Sequence, residues 1–329
     1  MKIALIGGAG LIGHSIALRM KRKGHDVLII DPLLVNNKYA LTDNAIYSAM
    51  IDERLALLSA AKVPIIHVDA RDYHQLCNVV GPWKPDAMVH LAAIAHIDRA
   101  NKDPWSTFDH NFRTLENTLD VARSLKDTHL IFFSSSTAYG DFKQPVIDET
   151  EPCDPRGIYG SLKYAGELLV RAHAEVYGMT TTVIRPCALY GQRCVSGRVT
   201  QKFVERAIAG LPITIDGDGS AKHDFTYIAD LVDGVDRVLT NPKAKGETFN
   251  LTTGEARSLA DLANIIKFHF PDLQVTYGPP DLEKPSRGTM SIQKAHDLLG
   301  FTPRYSLEAG MAEYIAWNKA FFQRQKKAA

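Results

Sequence analysis

The chain has 329 residues, 45% apolar and 23% charged, with a formal net charge of +1. That balance describes a soluble globular protein of about two domains or one large α/β unit, and it offers no basic patch to nucleic acid or to an anionic membrane. No apolar run approaches a membrane span, and the four scattered cysteines (Cys77, Cys153, Cys187, Cys194) lack metal-type spacing, which points to a reducing cytoplasm and no metal site.

Lys2 to Ile6 is an apolar run with turn glycines behind it, the pattern of a buried strand rather than a signal peptide. Gly7-Gly8-Ala9-Gly10-Leu11-Ile12-Gly13 follows directly, then Ile16, Ala17 and Met20 mark a helix that stops at Gly24. Val27 to Ile30 is a second strand, ending at Asp31. Glycines at Gly7, Gly10 and Gly13 let the backbone turn sharply and let a pyrophosphate approach the helix N-terminus. Asp31 is placed to accept hydrogen bonds from both hydroxyls of a ribose, which suits NAD and repels the 2′-phosphate of NADP. Strand, glycine loop, helix, strand and acid in this order predict a dinucleotide site.

A polar loop from Asn36 leads to a helix over Ala45 to Ala61. Ile65 to Val68 is a third strand, ending at Asp69, and Arg71 to Val80 is a helix. Ala87 to Leu91 is a fourth strand, and the small Ala92 and Ala93 after it would let a dinucleotide lie flat across the strand ends. Trp105 to Arg123 is helical, with Asn111 near its start. Leu130 to Ser134 is a fifth strand that runs into Ser135, Ser136 and Thr137, and Thr181 to Arg185 is a sixth.

From Pro186 the pattern changes. Helices are expected at Val199 to Ala209, Tyr227 to Leu239, Ser258 to His269, Ile292 to Leu299 and Leu307 to Phe322, with a seventh strand at Glu247 to Leu251. The alternation predicts an α/β fold, a Rossmann-type doubly wound parallel sheet with a smaller C-terminal α/β substrate lobe. The expected division is an NAD-binding domain over 1–185, to which 225–252 returns, and a substrate-binding lobe from 186–224 and 253–329. In such sheets ligands bind beyond the carboxyl ends of the strands, where Gly7, Asp31, Asp69, Ala92 and Ser135 all fall.

Between the fifth and sixth strands, Leu162, Ala165, Leu169, Ala172 and Val176 recur at helical steps and Gly178 closes the run. Tyr159 and Lys163 share one face of this helix, one turn apart, off the apolar stripe and able to face a cleft. A phenol with a pKa of ~10 is too weak an acid to serve as a base at neutral pH. A neighbouring ammonium favours the phenolate, so the pair offers proton transfer.

At this point the residues resemble a known family. Gly7-x-x-Gly10-x-x-Gly13, His90-Leu91-Ala92-Ala93, Ser134-Ser135, Tyr139-Gly140 and Tyr159-x-x-x-Lys163 are similar to the extended short-chain dehydrogenase/reductases. So are Arg185-Pro186, Tyr190-Gly191, Asp224-Phe225-Thr226-Tyr227 and Leu299-Gly300-Phe301, and together they look like the NAD-dependent nucleotide-sugar epimerases and dehydratases. Asn37-Lys38-Tyr39 with Arg54-Leu55-Ala56 is similar to the matching loop of UDP-glucuronate 4-epimerases.

The resemblance implies roles. Tyr159 is the base that takes a sugar hydroxyl proton, and Lys163 holds the nicotinamide ribose. Ser135, or Ser136 next to it, bonds the substrate oxygen. Leu11, Ile12, Asp69, Ala70, Leu91, Ala92, Ala93, Asn111 and Pro186 join the glycines and Asp31 around NAD. A homodimer through the Trp105 and Tyr159 helices is also implied. The family's 4,6-dehydratases carry an acid pair where this chain has Ser136 and Thr137, which turns the expectation from dehydration to epimerisation. Ala188 replaces an asparagine and His223 an arginine that help hold a nucleotide diphosphate; Arg198, Lys222 and Arg287 are the available cations, so Arg198, His223 and Arg287 are the candidate substrate residues. The expected function is a 4-epimerase-type isomerase of a nucleotide sugar. The rivals are a dehydrogenase or reductase of a non-nucleotide sugar or hydroxy compound, and a non-catalytic NAD-binding regulator.

Overall fold

The computed structural model describes residues 1–35, 37–41, 44–95, 97–281 and 285–328. Asn36, the first residue of the expected polar loop, lies outside them. In chain order the strands are β1 (Lys2–Ile6), β2 (Asp26–Ile30), β3 (Ile65–Ile66), β4 (Ala87–His90), β5 (His129–Phe133), β6 (Val146–Ile147), β7 (Thr181–Arg185), β8 (Ile213–Asp216), β9 (Lys222–Asp224), β10 (Thr248–Asn250), β11 (Ala256–Ser258), β12 (Val275–Gly278) and β13 (Thr289–Met290). The helices are α1 (Leu11–Arg22), α2 (Ala45–Ala60), α3 (Tyr73–Trp83), α4 (Ile97–Lys102), α5 (Pro104–Phe108), α6 (Thr114–Ser124), α7 (Gly157–Tyr177), α8 (Val199–Ile208), α9 (Ile228–Thr240), α10 (Leu259–His269), α11 (Gln293–Leu299) and α12 (Leu307–Ala328).

Seven strands form one sheet in the order β10-β7-β5-β4-β1-β2-β3, and every pairing in it is parallel. Strands covered on both faces read as continuous apolar runs. That is why β5, with the sequence HLIFF, is buried at every position. The strand order reverses between β1 and β4, which opens a crevice at their carboxyl ends. The late elements α9 and β10 do return to this sheet. β10 pairs with β7, and Arg19 of α1 reaches Asp233 at 2.7 Å and Asp236 at 2.9 Å on α9.

Two expectations change. The Trp105 helix is not continuous: α5 and α6 are joined by a π-helical turn over Asp109–Arg113, with Asn111 buried inside it. Such insertions re-aim single side chains and cluster at functional sites. The apolar stripe of α7 is also not its buried face. The residues α7 buries are Tyr159, Gly160, Lys163, Gly166, Glu167 and Val170, while Val176 is 71% exposed. Close packing explains the inversion, because a Cβ on Gly166 would come within 2.7 Å of Phe132 and 2.9 Å of Leu115. The helix therefore approaches the sheet through Gly160 and Gly166 with Val170, and leaves Leu168 and Val176 exposed.

The C-terminal part adds three two-stranded pieces, β6 with β13, β8 with β12 and β9 with β11. One buried carboxylate, Asp224 at the end of β9, ties that strand to β13 and to the turn after β10. It accepts hydrogen bonds from Thr252 Oγ1 and Thr253 N at 3.0 Å, Gly254 N at 3.2 Å and Met290 N at 3.3 Å.

Candidate functional site

The glycine loop turns out of β1 at Gly7, whose φ is +75° and whose added Cβ would strike the Ala92 backbone at 2.6 Å. Only glycine meets both conditions. At Gly10 the opposite holds: a Cβ would meet nothing nearer than the Gly7 carbonyl at 3.9 Å, so the space above the start of α1 is open to a ligand. A cleft lies there, lined by Gly7, Gly10, Leu11, Ile12, Gly13, Asp31, Asp69, Ala70, Leu91, Ala92 and Ala93. The structure thus gathers these eleven predicted residues at the switch point of the sheet.

Asp31 is 7% exposed. Its two oxygens accept from Ala9 N at 2.9 Å and Leu33 N at 2.8 Å, which fixes the carboxylate against the glycine loop. Burial pushes its carboxyl above the usual range, and these two bonds and the nearby Arg54 oppose that. Asn111 does not line the cleft. Its side chain accepts from Ile94 N at 2.6 Å and donates to Ile94 O at 3.2 Å, so it shapes the loop after β4 that forms the cleft floor. Pro186 contributes a carbonyl that accepts from Ser136 N at 2.9 Å, tying the ends of β5 and β7.

Beyond β5 lie the reacting-type side chains. Ser135 Oγ accepts from Thr137 N at 3.2 Å and lies close enough to Tyr159 to act on its phenol. Lys163, 4% exposed, donates to Phe133 O at 2.7 Å, and its ammonium stands 6.0 Å from the Tyr159 ring centroid. Burial drives the Tyr159 phenol up; Arg198, the Ser135 hydroxyl and Arg287 push it back toward the phenolate. The cations that act on the phenol are thus two arginines from the C-terminal part, where the sequence pointed to Lys163. Lys163 itself is brought down to about 8 by burial, with Glu167 opposing.

Arg287 Nη1 donates to Ser136 Oγ, which places a guanidinium one residue from Ser135. Arg198 lines the cofactor cleft and donates to Ala95 O at 3.3 Å. His223 lies on β9, its ring 5.6 Å from Phe225. Cys187 is buried and its thiol is pushed up, so it is no nucleophile.

Three buried residues near the site received no site role from the sequence. Glu167 on α7 and Arg185 at the end of β7 form a bidentate pair, and Ser134 Oγ donates to the same carboxylate. Glu167 lies one turn beyond Lys163, a spacing that was available as a signal. Arg54 lines the cleft beside Asp31; it grips Arg193 O through Nε and Nη2, and its buried Nη1 has no partner among the described residues. An orphaned donor, an open glycine loop and an acid after β2 fit a dinucleotide.

The comparisons agree. The pattern of the NAD dependent epimerase/dehydratase family matches residues 3–252. An uncharacterized UDP-glucose epimerase of Bacillus subtilis (strain 168) is 28% identical over 333 residues, covering 98% of this chain and 99% of its own. The UDP-glucose 4-epimerase of Lacticaseibacillus casei is 28% identical over 337 residues, covering 97% of this chain and 96% of its own. A crystal structure of the Thermotoga maritima UDP-glucose 4-epimerase with UDP-glucose superposes with a TM-score of 0.86 at 25% identity, covering 98% of this chain and 100% of that one. A family pattern that runs through the sheet and its cleft, in a chain matched end to end by such relatives, makes this protein a member of the NAD-dependent epimerase/dehydratase family.

Proposed function

We propose that the protein is an NAD-dependent nucleotide-sugar epimerase of the 4-epimerase kind. It oxidises a sugar hydroxyl transiently to a ketone and reduces the ketone on its other face. The observation that carries this is the company of Tyr159. A serine hydroxyl and two guanidinium groups act on its phenol, and Ser136 and Thr137 stand where a dehydratase needs an acid. The names of the relatives, UDP-glucose epimerases, support the same reading.

NAD bound in the cleft supplies hydride acceptance and donation. Gly7, Gly10, Leu11, Ile12 and Gly13 bring it onto the start of α1, Asp31 and Arg54 face its adenosine ribose, Asp69 and Ala70 flank the adenine, and Leu91, Ala92, Ala93 and Pro186 lie along the strand ends. Tyr159 Oη takes the proton from the sugar hydroxyl and later returns it. Ser135 Oγ, with Ser136 beside it, holds the same oxygen. Lys163 holds the nicotinamide ribose. Arg198 and Arg287 have no carboxylate partner among the described residues, so both are available to the anionic part of the substrate, with His223 at the lobe's edge. Residues 1–185 with 225–252 make the cofactor domain, and 186–224 with 253–329 the substrate lobe. The outward apolar face of α7 and the 79% exposed Trp105 support a homodimer. Four free cysteines suit the cytoplasm.

The test is incubation with a panel of UDP-sugars without added cofactor, followed by NMR. Interconversion of C4 epimers supports the proposal. No interconversion across the panel, with NAD bound, refutes it. Ala188 and His223 favour a second reading, a dehydrogenase of a non-nucleotide sugar, which net NADH formation would select.

A further inference from the structure

The end of β5 is joined to the buried face of α7 residue by residue. Phe133 O accepts from Lys163 Nζ at 2.7 Å, Ser134 Oγ donates to Glu167 Oε1, and Ser135 lies beside the Tyr159 phenol. Three consecutive residues at and just beyond the end of β5 thus face side chains from three successive turns of one helix face. Glu167 is 2% exposed and also accepts from Arg185 Nε at 2.9 Å and Nη2 at 2.6 Å. Arg185, 4% exposed at the end of β7, stacks its guanidinium 4.5 Å from the Tyr139 ring centroid.

Arg185 pairs with this buried carboxylate directly, and the Lys163 ammonium, one turn away on α7, lies in its field. A buried charge persists only with a counter-charge and satisfied hydrogen bonds. The one bond of Lys163 to Phe133 O is to a neutral carbonyl, so its counter-charge has to come from elsewhere. His90, which faces it from β4, is held neutral. The Phe132 ring, 5.1 Å from Nζ, carries no net charge. Tyr159 is a phenol under two arginines. That leaves Glu167. Arg185 faces Glu167 from β7, and Arg171 and Cys153 share its field.

We propose that Glu167 is a positioning residue for Tyr159 and Lys163: it fixes α7 on the ends of β5 and β7 and supplies the counter-charge of the Lys163 ammonium. The proposal rests on the reading of Tyr159 and Lys163 as the proton-transfer pair. Its two parts act together, since the bond from Lys163 to Phe133 O is stronger when the donor is the charged ammonium.

The test reads Lys163 directly and needs no substrate. Protein labelled with ¹³C-lysine is titrated by NMR with NAD present, and the Lys163 ε-methylene signal is assigned by its loss in Lys163→Met. In the wild type it titrates well below the ordinary lysine range. In Glu167→Gln, which keeps shape and removes charge, it moves at least about one pH unit lower. In Arg185→Gln, which frees Glu167 from its other cation, it moves up. A purely structural role would not give opposite signs. An unchanged titration in Glu167→Gln, or shifts in the same direction, overturns the proposal. If Glu167→Gln does not fold, Arg185→Gln decides alone: an upward shift supports Glu167 as the counter-charge and no shift overturns it. A failed epimerase assay leaves these shifts standing, whereas absent shifts with epimerisation intact remove only the role of Glu167.

Discussion

Asp224 makes the stability of the C-terminal lobe depend on pH in a way that can be measured. It is fully buried, and burial raises its carboxyl from an ordinary 3.8 to about 6, against four hydrogen bonds that oppose the rise. The folded state therefore holds this proton more tightly than the unfolded chain. Between pH 4 and pH 6 folding takes up a proton, so this contribution grows as pH falls and is lost as pH rises through about 6. The shift of a little over two pH units corresponds to about 3 kcal/mol. For a chain of this length that is a change in Tm of about 4 °C. Asp224→Asn removes the titration while keeping the shape. It also sets an amide N–H₂ against donors from Gly254 and Met290, which lowers its stability at every pH. The discriminating quantity is thus the difference in Tm between wild type and variant, followed by calorimetry from pH 7.5 to pH 4.5. That difference should widen in favour of the wild type by about 3 °C over this range, because acidification to pH 4.5 collects about 2 kcal/mol of the full shift. Parallel profiles, or a gap that narrows toward acid, would refute the reasoning.

Tyr159→Phe should lower kcat by about 10²- to 10⁴-fold while leaving bound NAD, measured by absorbance after denaturation, unchanged. Because the wild-type phenol rests protonated, raised by burial, kcat/KM should rise with pH through the neutral range, and a flat profile would count against Tyr159 as the base. Asp31→Ala should weaken NAD binding by about ten- to a hundredfold in calorimetry, because it removes charge-assisted bonds to the ribose, and should narrow the preference for NAD over NADP. Gly166→Leu should cost at least about 3 kcal/mol in denaturant unfolding, since even a Cβ would meet Phe132 at 2.7 Å. Val176→Asp, on the outward face of α7, should shift the light-scattering mass toward the monomer and leave Tm of the monomeric unit nearly unchanged.

The cofactor half of the molecule was legible because its signals are local. Glycine spacing, an acid after the second strand and small residues after the fourth all sit within a few positions of the element that needs them, and they converge through the switch-point rule. The face of α7 was not legible, because apolar spacing identifies a stripe but not what covers it. Gly160 and Gly166 carried the answer, as the residues that let a helix approach a sheet. Asn111 was located, but the π turn that aims it at Ile94 has no simple sequence mark. The small strand pairs were missed because each is two to four residues long, and partners such as β8 and β12 are far apart in the chain.

The least legible part has a physical reason that bears on mechanism. The sequence invites the view that Lys163 tunes Tyr159, since the two are one turn apart. In the fold the Lys163 ammonium is spent on Phe133 O and balanced by Glu167, while the phenol feels Arg198 and Arg287. Neither arginine belongs to α7. Arg198 precedes α8, and Arg287 lies three residues before Met290, whose backbone N–H the buried Asp224 holds. The acidity of the Tyr159 phenol is therefore set from the C-terminal lobe, through residues that are themselves available to an anion. An anion that engages Arg198 and Arg287 withdraws part of their field from Tyr159. Binding and proton affinity then change together: the unliganded arginines favour the phenolate, and neutralising them raises the proton affinity of the phenol oxygen. Substitutions in this lobe should accordingly alter kcat along with KM, which a lobe that merely holds substrate would not do.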